Sequence, residues 1–294
     1  MRRSSWPRSP LGWASFVVLA VLLALAAYAL TTYAVSREVG SDVSAYWNAA
    51  ERLRAGQPLY VAGASNASDL YRYAPWFAAG WIPLTYLDRS AVTAAWVGLM
   101  IGAALLSTLP LLRRGPAGWG AFAIFAPLQL QAAMFGNVQP LLVLLLMWGV
   151  ERRAGPLWVA LGASLKATPL LLAIVYAGRG EWRRAALTVG LTAVLLAPAF
   201  LFDLSAYPTS SGPNQMSLAG VSVWLWLPVA VAAVAVVVAV ARTRFAWLAG
   251  AFAVIAALPR LLDYEIGFLL IGLAQPAVVR DIESASRPSS QAAP

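Results

Sequence analysis

Asp42, Lys166 and the polar stretch Gly136, Asn137, Val138, Gln139, Pro140 are the positions whose residue types could do chemistry. Asp42 opens a stretch in which Val43, Tyr46, Trp47, Ala50 and Leu53 recur at helical spacing, with Gly56 where a helix would stop. A carboxylate at a helix N-terminus is held ionised by backbone amides and the helix dipole, and such a group can take a proton from a hydroxyl. The same placement also serves simply to stabilise the helix, and the two duties are compatible. Lys166 is the only lysine and lies within the otherwise uncharged run 155–178. About 12 residues, or roughly 18 Å, separate it from either flank, too far for its side chain to reach water. A cation so placed faces a cavity or a partner, and a phosphate is the expected partner. Asn137, Gln139, Asn214, Gln215 and Ser217 could hydrogen-bond sugar hydroxyls, although turn-forming duties suit them too. Tyr71, Tyr73, Trp76 and Trp81 read as interfacial belt residues whose faces could also stack on a sugar ring.

The wider composition decides which chemistries remain. Of 294 residues, 61% are hydrophobic and 11% charged, with no cysteine and no histidine. A soluble domain has roughly 25% charged residues, so this chain lacks the polar surface to coat a globule in water and reads as an integral membrane protein. Without cysteine or histidine there are no disulfides, thiolate nucleophiles, haem ligands, usual zinc sites or imidazole bases. Acid, base and phosphate chemistry falls to 12 Asp and Glu, 20 Arg and one Lys. The net charge of +9 could suit nucleic acid, but the arginines stand in short clusters between apolar runs, as in cytoplasmic membrane loops. No nucleic-acid partner is expected.

Positioning these residues requires a set of helices. Residues 9–36 are uncharged and follow Arg2, Arg3 and Arg8. They predict a first crossing with a cytoplasmic N-terminus, being longer than the ~7–15 residue core of a signal peptide. Residues 37–89 balance five acidic residues with five arginines and form a long outer loop, whose amphipathic helix is expected to lie on the membrane surface. A second crossing is predicted over 90–112, and 115–150 reads as a helical hairpin broken at Gly136–Pro140. The run 155–178 is long enough to span once, but that would export Arg179, Arg183 and Arg184. Breaking it at Lys166 and Pro169 gives two short helices that enter and leave from the cytoplasm. This hairpin arrangement puts 14 arginines inside and 6 outside, against 8 and 12 for a single span. Further segments follow at 185–202, 220–241, 245–259 and 262–279, with a second outer loop over 203–219. The expected fold is an all-α polytopic bundle of about ten helices, each apolar run judged against the bilayer thickness. It forms one transmembrane domain over 1–280 in the cell (plasma) membrane, with both termini cytoplasmic and a disordered cytoplasmic tail over 281–294.

Taken in chain order, these positions form a longer pattern. It comprises Asp42, Tyr46, Gly56, Leu59 and Tyr60; Tyr73, Ala74, Pro75 and Pro83; Gly136 to Gln139; Gly162, Lys166 and Pro169; and Tyr264 with Glu265. Over residues 36–272 the chain resembles glycosyltransferase family 87. That family consists of polytopic enzymes of the C-type glycosyltransferase superfamily, including mannosyltransferases that use polyprenyl-phosphate-mannose. The resemblance implies a C-type bundle, Asp42 as catalytic base, and sugar or acceptor contacts from Tyr46, Tyr60, Tyr73, Asn137, Gln139, Asn214, Gln215, Tyr264 and Glu265. The chain departs from the family at three elements. Gly-Gln-x-Asn is here Gly136 to Gln139 with Asn137 and Gln139 exchanged. Asn-Gln-Ser is split by Met216, and the C-terminal His-Tyr or Asp-Tyr-Asp element is Asp263, Tyr264, Glu265.

A lipid-linked sugar phosphate has its reacting bond at the membrane surface. Its enzyme needs a greasy groove, cations for the phosphate and a carboxylate at the outer boundary. The expected reaction moves a hexose, mannose by the resemblance, from a polyprenyl-phosphate donor to a lipid or glycan acceptor on the outer face with inversion. Lys166, Arg260 and Arg72 are candidates for the donor phosphate. No cofactor and no metal are expected. The alternative is a transporter or flippase for a lipid-linked or anionic substrate, which would show repeated halves and charges in several mid-membrane helices. A non-catalytic membrane partner of an assembly complex is a third reading, suited to the short length and altered motifs.

Overall fold

The structure is a computed structural model that describes residues 21, 39–61, 70–207 and 216–275. Apart from residue 21, the expected first crossing over 9–36 lies outside the described residues, as do Asn214, Gln215 and the tail over 281–294. Among the described residues the chain is all-helical, with no strand and twelve α-helices. These are α1 (Ser41–Arg54), α2 (Pro75–Trp81), α3 (Arg89–Thr108), α4 (Gly115–Met134), α5 (Gln139–Gly149) and α6 (Gly155–Leu165). They are followed by α7 (Ala173–Gly178), α8 (Trp182–Leu196), α9 (Leu218–Val221), α10 (Val223–Val240), α11 (Ala246–Ala256) and α12 (Leu269–Leu273).

Local sequence explains several of the starts. Pro75, Pro140 and Pro156 stand in first turns, where the missing N–H costs nothing and the fixed φ suits a helix. The Asp88 side chain accepts a hydrogen bond from the Ala91 amide (2.8 Å) and caps α3. Three helices, with their 3₁₀ extensions, are long and apolar enough to cross a membrane: Arg89–Arg114, Trp182–Leu201 and Val223–Val240. Of the expected bundle of about ten helices, two of them the short halves of the run 155–178, three reach that length among the described residues. The helices α5, α6 and α11 are apolar but 11 residues long, about 16 Å against a hydrocarbon core of about 30 Å. Breaks inside the longer apolar runs account for this shortness.

Both predicted breaks are present. The run 115–150 folds back at Gly136, whose φ of +72° lies in the left-handed region. A Cβ there would collide with the Val43 side chain of α1, so the turn and α1 approach as closely as only glycine permits. The run 155–178 breaks at Lys166, which is extended (φ −137°, ψ 111°) after α6, and continues as a 3₁₀ turn over Thr168–Leu172 and then α7. Its two ends lie together. Tyr176 donates to the Val150 carbonyl (2.6 Å), Arg184 donates to the carbonyls of Val150 (2.9 Å) and Arg152 (2.7 Å), and Arg179 pairs with Glu151 (2.9 Å). The arginine clusters at 152–153 and 179–184 therefore flank the same end of the bundle, as the hairpin arrangement requires.

The main core packs α4, α5, α11 and α12 around Tyr176, Trp247 and Phe268, all essentially buried. A second core lies beneath α1, where Tyr46 meets Phe77, Trp81 and Trp96 at ring separations of 5.1, 5.3 and 6.2 Å. This corrects two expectations. The apolar face of α1 lies on protein rather than on the membrane surface. Tyr71 and Trp81, read as belt residues, are 0% and 2% exposed and belong to that core. Residues 70–86 fold over α1 as a cover, which periodicity within α1 alone could not reveal.

Candidate functional site

The first hairpin tip is tied to α1 before any side-chain chemistry is considered. The Gly40 amide donates to the Met134 carbonyl (2.9 Å), the Asp42 amide to that of Phe135 (3.0 Å), and the Trp96 indole to that of Gly136 (2.8 Å). These bonds set Asn137 against Asp42. The Asn137 side-chain amide donates to Asp42 Oδ2 (2.6 Å) and lies 3.3 Å from the Tyr264 hydroxyl, while Asn137 Oδ1 accepts from the Gln139 amide (2.9 Å). The partner of the Asp42 carboxylate is thus a side chain 95 positions away rather than the amides of its own helix. Burial pushes the Asp42 carboxyl above its ordinary value, and the Asn137 hydrogen bond and the charges of Lys166 and Arg72 pull the other way. Asp42 remains partly exposed.

The second hairpin tip arrives from the other side. Lys166 Nζ is 3.1 Å from Glu265 Oε1 and 5.2 Å from the centre of the Tyr264 ring. The expected phosphate partner is here a carboxylate, and the two side chains are 15% and 7% exposed. The other Glu265 oxygen, Oε2, accepts from the Leu262 amide (2.9 Å), which fixes the 3₁₀ turn Asp263–Phe268. Asp263 accepts from the Tyr264 amide (2.9 Å). Gln129, a fully buried amide in α4, donates to the Tyr264 carbonyl (3.0 Å) and holds the turn from behind.

The tyrosines close the remaining side. Tyr46 donates to the Tyr73 hydroxyl (3.2 Å), and Tyr60 donates to the Tyr73 carbonyl (3.1 Å). Burial is the main force pushing the hydroxyls of Tyr46 and Tyr73 upward, and it pushes Tyr60 up to about 12. They stay protonated at neutral pH and act as donors rather than bases, leaving carboxylate to do base chemistry. Arg72 lies near enough for its charge to act on Asp42 and Tyr73, and its Nε is buried without a partner.

Asp42, Tyr46, Tyr73, Asn137, Lys166, Tyr264 and Glu265 therefore form one connected group, with Arg72 beside it. Gln139 is adjacent and completely buried, and neither end of its side-chain amide has a partner among the described residues. Tyr60 stands behind Tyr73, 3% exposed. Arg260 lies in the connection between α11 and the 3₁₀ turn, half-buried, and no described contact joins it to Asp42 or Lys166. Asn214 and Gln215 fall outside the described residues, and Ser217 donates to the Pro259 carbonyl (2.7 Å). Among the described residues there is no cluster of three or more metal-ligating side chains.

Comparison with protein families, with curated proteins and with solved structures returns no match to this chain. The resemblance to family 87 is carried by the motifs alone.

Gln129 and Trp96 are site supports that the sequence reading passed over. A signal existed for Gln129: an amide inside the uncharged apolar run 115–134 is costly unless it is bonded.

Proposed function

We propose that this chain is a polytopic glycosyltransferase of the C-type superfamily, embedded in the cell membrane with its two termini in the cytoplasm. It transfers a hexose from a polyprenyl-phosphate donor to a hydroxyl of a lipid or glycan acceptor. The observation that carries the reading is the half-buried Asp42 carboxylate, oriented by Asn137 and lying in the field of two cations, Lys166 and Arg72. Asp42 takes the proton of the acceptor hydroxyl, whose oxygen forms a new bond to the anomeric carbon. The bond from that carbon to the phosphate oxygen breaks from the opposite side, and its electron pair leaves with the polyprenyl phosphate, giving inversion. Phosphate is a weak base and needs positive charge rather than a proton. Lys166 supplies charge while braced by Glu265, since an ammonium keeps further donors after one ion pair. Arg72 supplies charge from the loop, whereas Arg260, on the connection that leads to Tyr264, has no described contact with this group and takes no part in the step. The unpartnered amide of Gln139 and the Tyr73 hydroxyl are contacts for sugar hydroxyls.

The test uses purified protein with radiolabelled polyprenyl-phosphate-mannose and a panel of lipid and glycan acceptors. The wild-type protein forms labelled product, and Asp42→Asn folds but does not. Unchanged turnover in that variant removes Asp42 as the base. Movement of label across a vesicle bilayer without product formation would favour a flippase instead.

A further inference from the structure

A cavity of about 710 Å³ opens at the end of the bundle remote from Asp42. The 20-residue α4 begins beside it and ends at Met134, whose carbonyl bonds Gly40, so about 30 Å of helix separates the two places. Five arginines line this cavity, Arg113, Arg114, Arg152, Arg179 and Arg244, against one carboxylate, Glu151. That carboxylate is already engaged by Arg179 and by the Trp247 indole. Arg113 and Arg152 are exposed, and neither guanidinium forms an ion pair or hydrogen bond among the described residues.

The rest of the wall is apolar, with Leu111, Met147, Trp148 and Leu270. Trp148 and Arg152 are shared with a second hollow of about 300 Å³, walled by Leu106, Leu144, Leu145 and Trp158. Leu106 belongs to the apolar helix Arg89–Arg114 and is 59% exposed, and Trp148 is 55% exposed, so this hollow lies on the outer flank of the bundle. A cationic chamber that runs into a greasy groove beside a hydrophobic helix matches one ligand chemistry: a phosphodiester head followed by alkyl chain. A free phosphate would leave the groove empty, and a nucleotide would leave its leucines uncovered.

We propose that this is a binding site for an anionic glycerophospholipid, with the phosphodiester between Arg113 and Arg152 and an acyl chain along Leu106, Leu144 and Leu145. Charge-assisted hydrogen bonds from arginine favour the anionic head, and the leucine walls of the second hollow cover the chain. The proposal does not depend on the transferase reading.

The experiment titrates the full-length protein in non-ionic detergent with phosphatidylglycerol or phosphatidylcholine and counts retained lipid by native mass spectrometry. Phosphatidylglycerol is expected to be retained at least tenfold more strongly, because the head contacts are charged. The double variant Arg113→Gln, Arg152→Gln loses that preference with an unchanged melting temperature, and Arg183→Gln, an exposed arginine outside the cavity, keeps it. Equal retention of the two lipids overturns the proposal, as does an undiminished preference in the double variant. Inorganic phosphate probes the head alone: complete displacement of phosphatidylglycerol by millimolar phosphate removes the groove from the site and overturns the lipid assignment.

Discussion

At the Asp42 end of the bundle, Lys166 rests on Glu265 and Asp42 on Asn137, each partner supplied by a distant part of the chain. At the other end, Arg113 and Arg152 face a cavity with no such partner among the described residues. Internal pairing fixes side chains in one geometry, which suits a reaction in which a misplacement of about 1 Å costs about 100-fold in rate. Unpaired arginines at a rim accept any anion of suitable shape and suit retention rather than chemistry. The two ends thus divide orientation from attraction, and variants can test whether that division holds.

The largest effect is expected at Asp42. Loss of a general base costs about 10²–10⁴-fold in rate, so Asp42→Asn abolishes measurable transfer, whereas neutralising Arg113 and Arg152 leaves transfer rates intact. Breaking the ion pair comes next. Lys166→Met strands the Glu265 charge in a buried place, with a cost of about 3–5 kcal/mol expected in chemical denaturation. Adding Glu265→Gln restores stability but not transfer. If the double variant regains activity, Lys166 is a structural cation and takes no part in binding phosphate.

Asn137→Ala is expected to slow transfer about tenfold, the size of one lost charge-assisted hydrogen bond. It also moves the acid limb of the rate profile. The Asn137 bond lowers the Asp42 value, so its removal lets burial raise it further and the limb shifts to higher pH. A smaller signature lies in stability. The folded protein holds the Asp42 proton more tightly than the unfolded chain does. The carboxylate is therefore neutral in its effect below the ordinary carboxylate range and becomes a cost as pH rises through the raised folded value. Asp42→Asn should raise the melting temperature at neutral pH and not in acid.

The orientation of the two ends can be read chemically, because the chain has no native cysteine. Gly80→Cys adds a Cβ that meets nothing within 4 Å and lies on the Asp42 side. Arg183→Cys lies on the arginine side. An impermeant thiol reagent on intact cells should label the first and not the second, and the reverse pattern refutes the proposed topology.

Much of this arrangement was legible beforehand for definite reasons. The breaks were marked by a cluster of polar and turn-forming residues at Gly136–Pro140 and by the lone charge of Lys166, within runs that are otherwise uncharged. The helix after Asp42 was marked by its period and by Gly56. What could not be read was pairing across the chain. Nothing near Lys166 points to Glu265, 99 positions later, and nothing near Asp42 points to Asn137 rather than to its own helix amides. The tyrosines and tryptophans of 71–81 misled because aromatic residues suit an interface and a core equally well. Their burial depends on α1 lying beneath them, a contact with no local trace.

The joined ends of the 155–178 hairpin bear on how the protein is made. A segment whose two feet are held by Val150 and Arg184 has no flanking arginines to push through the insertion machinery. In the proposed topology its two short helices enter and leave on one side, so neither flank crosses the membrane. Because the partners of Lys166 are Glu265 and Tyr264, its corner of the bundle is complete only once the chain has been made through residue 265.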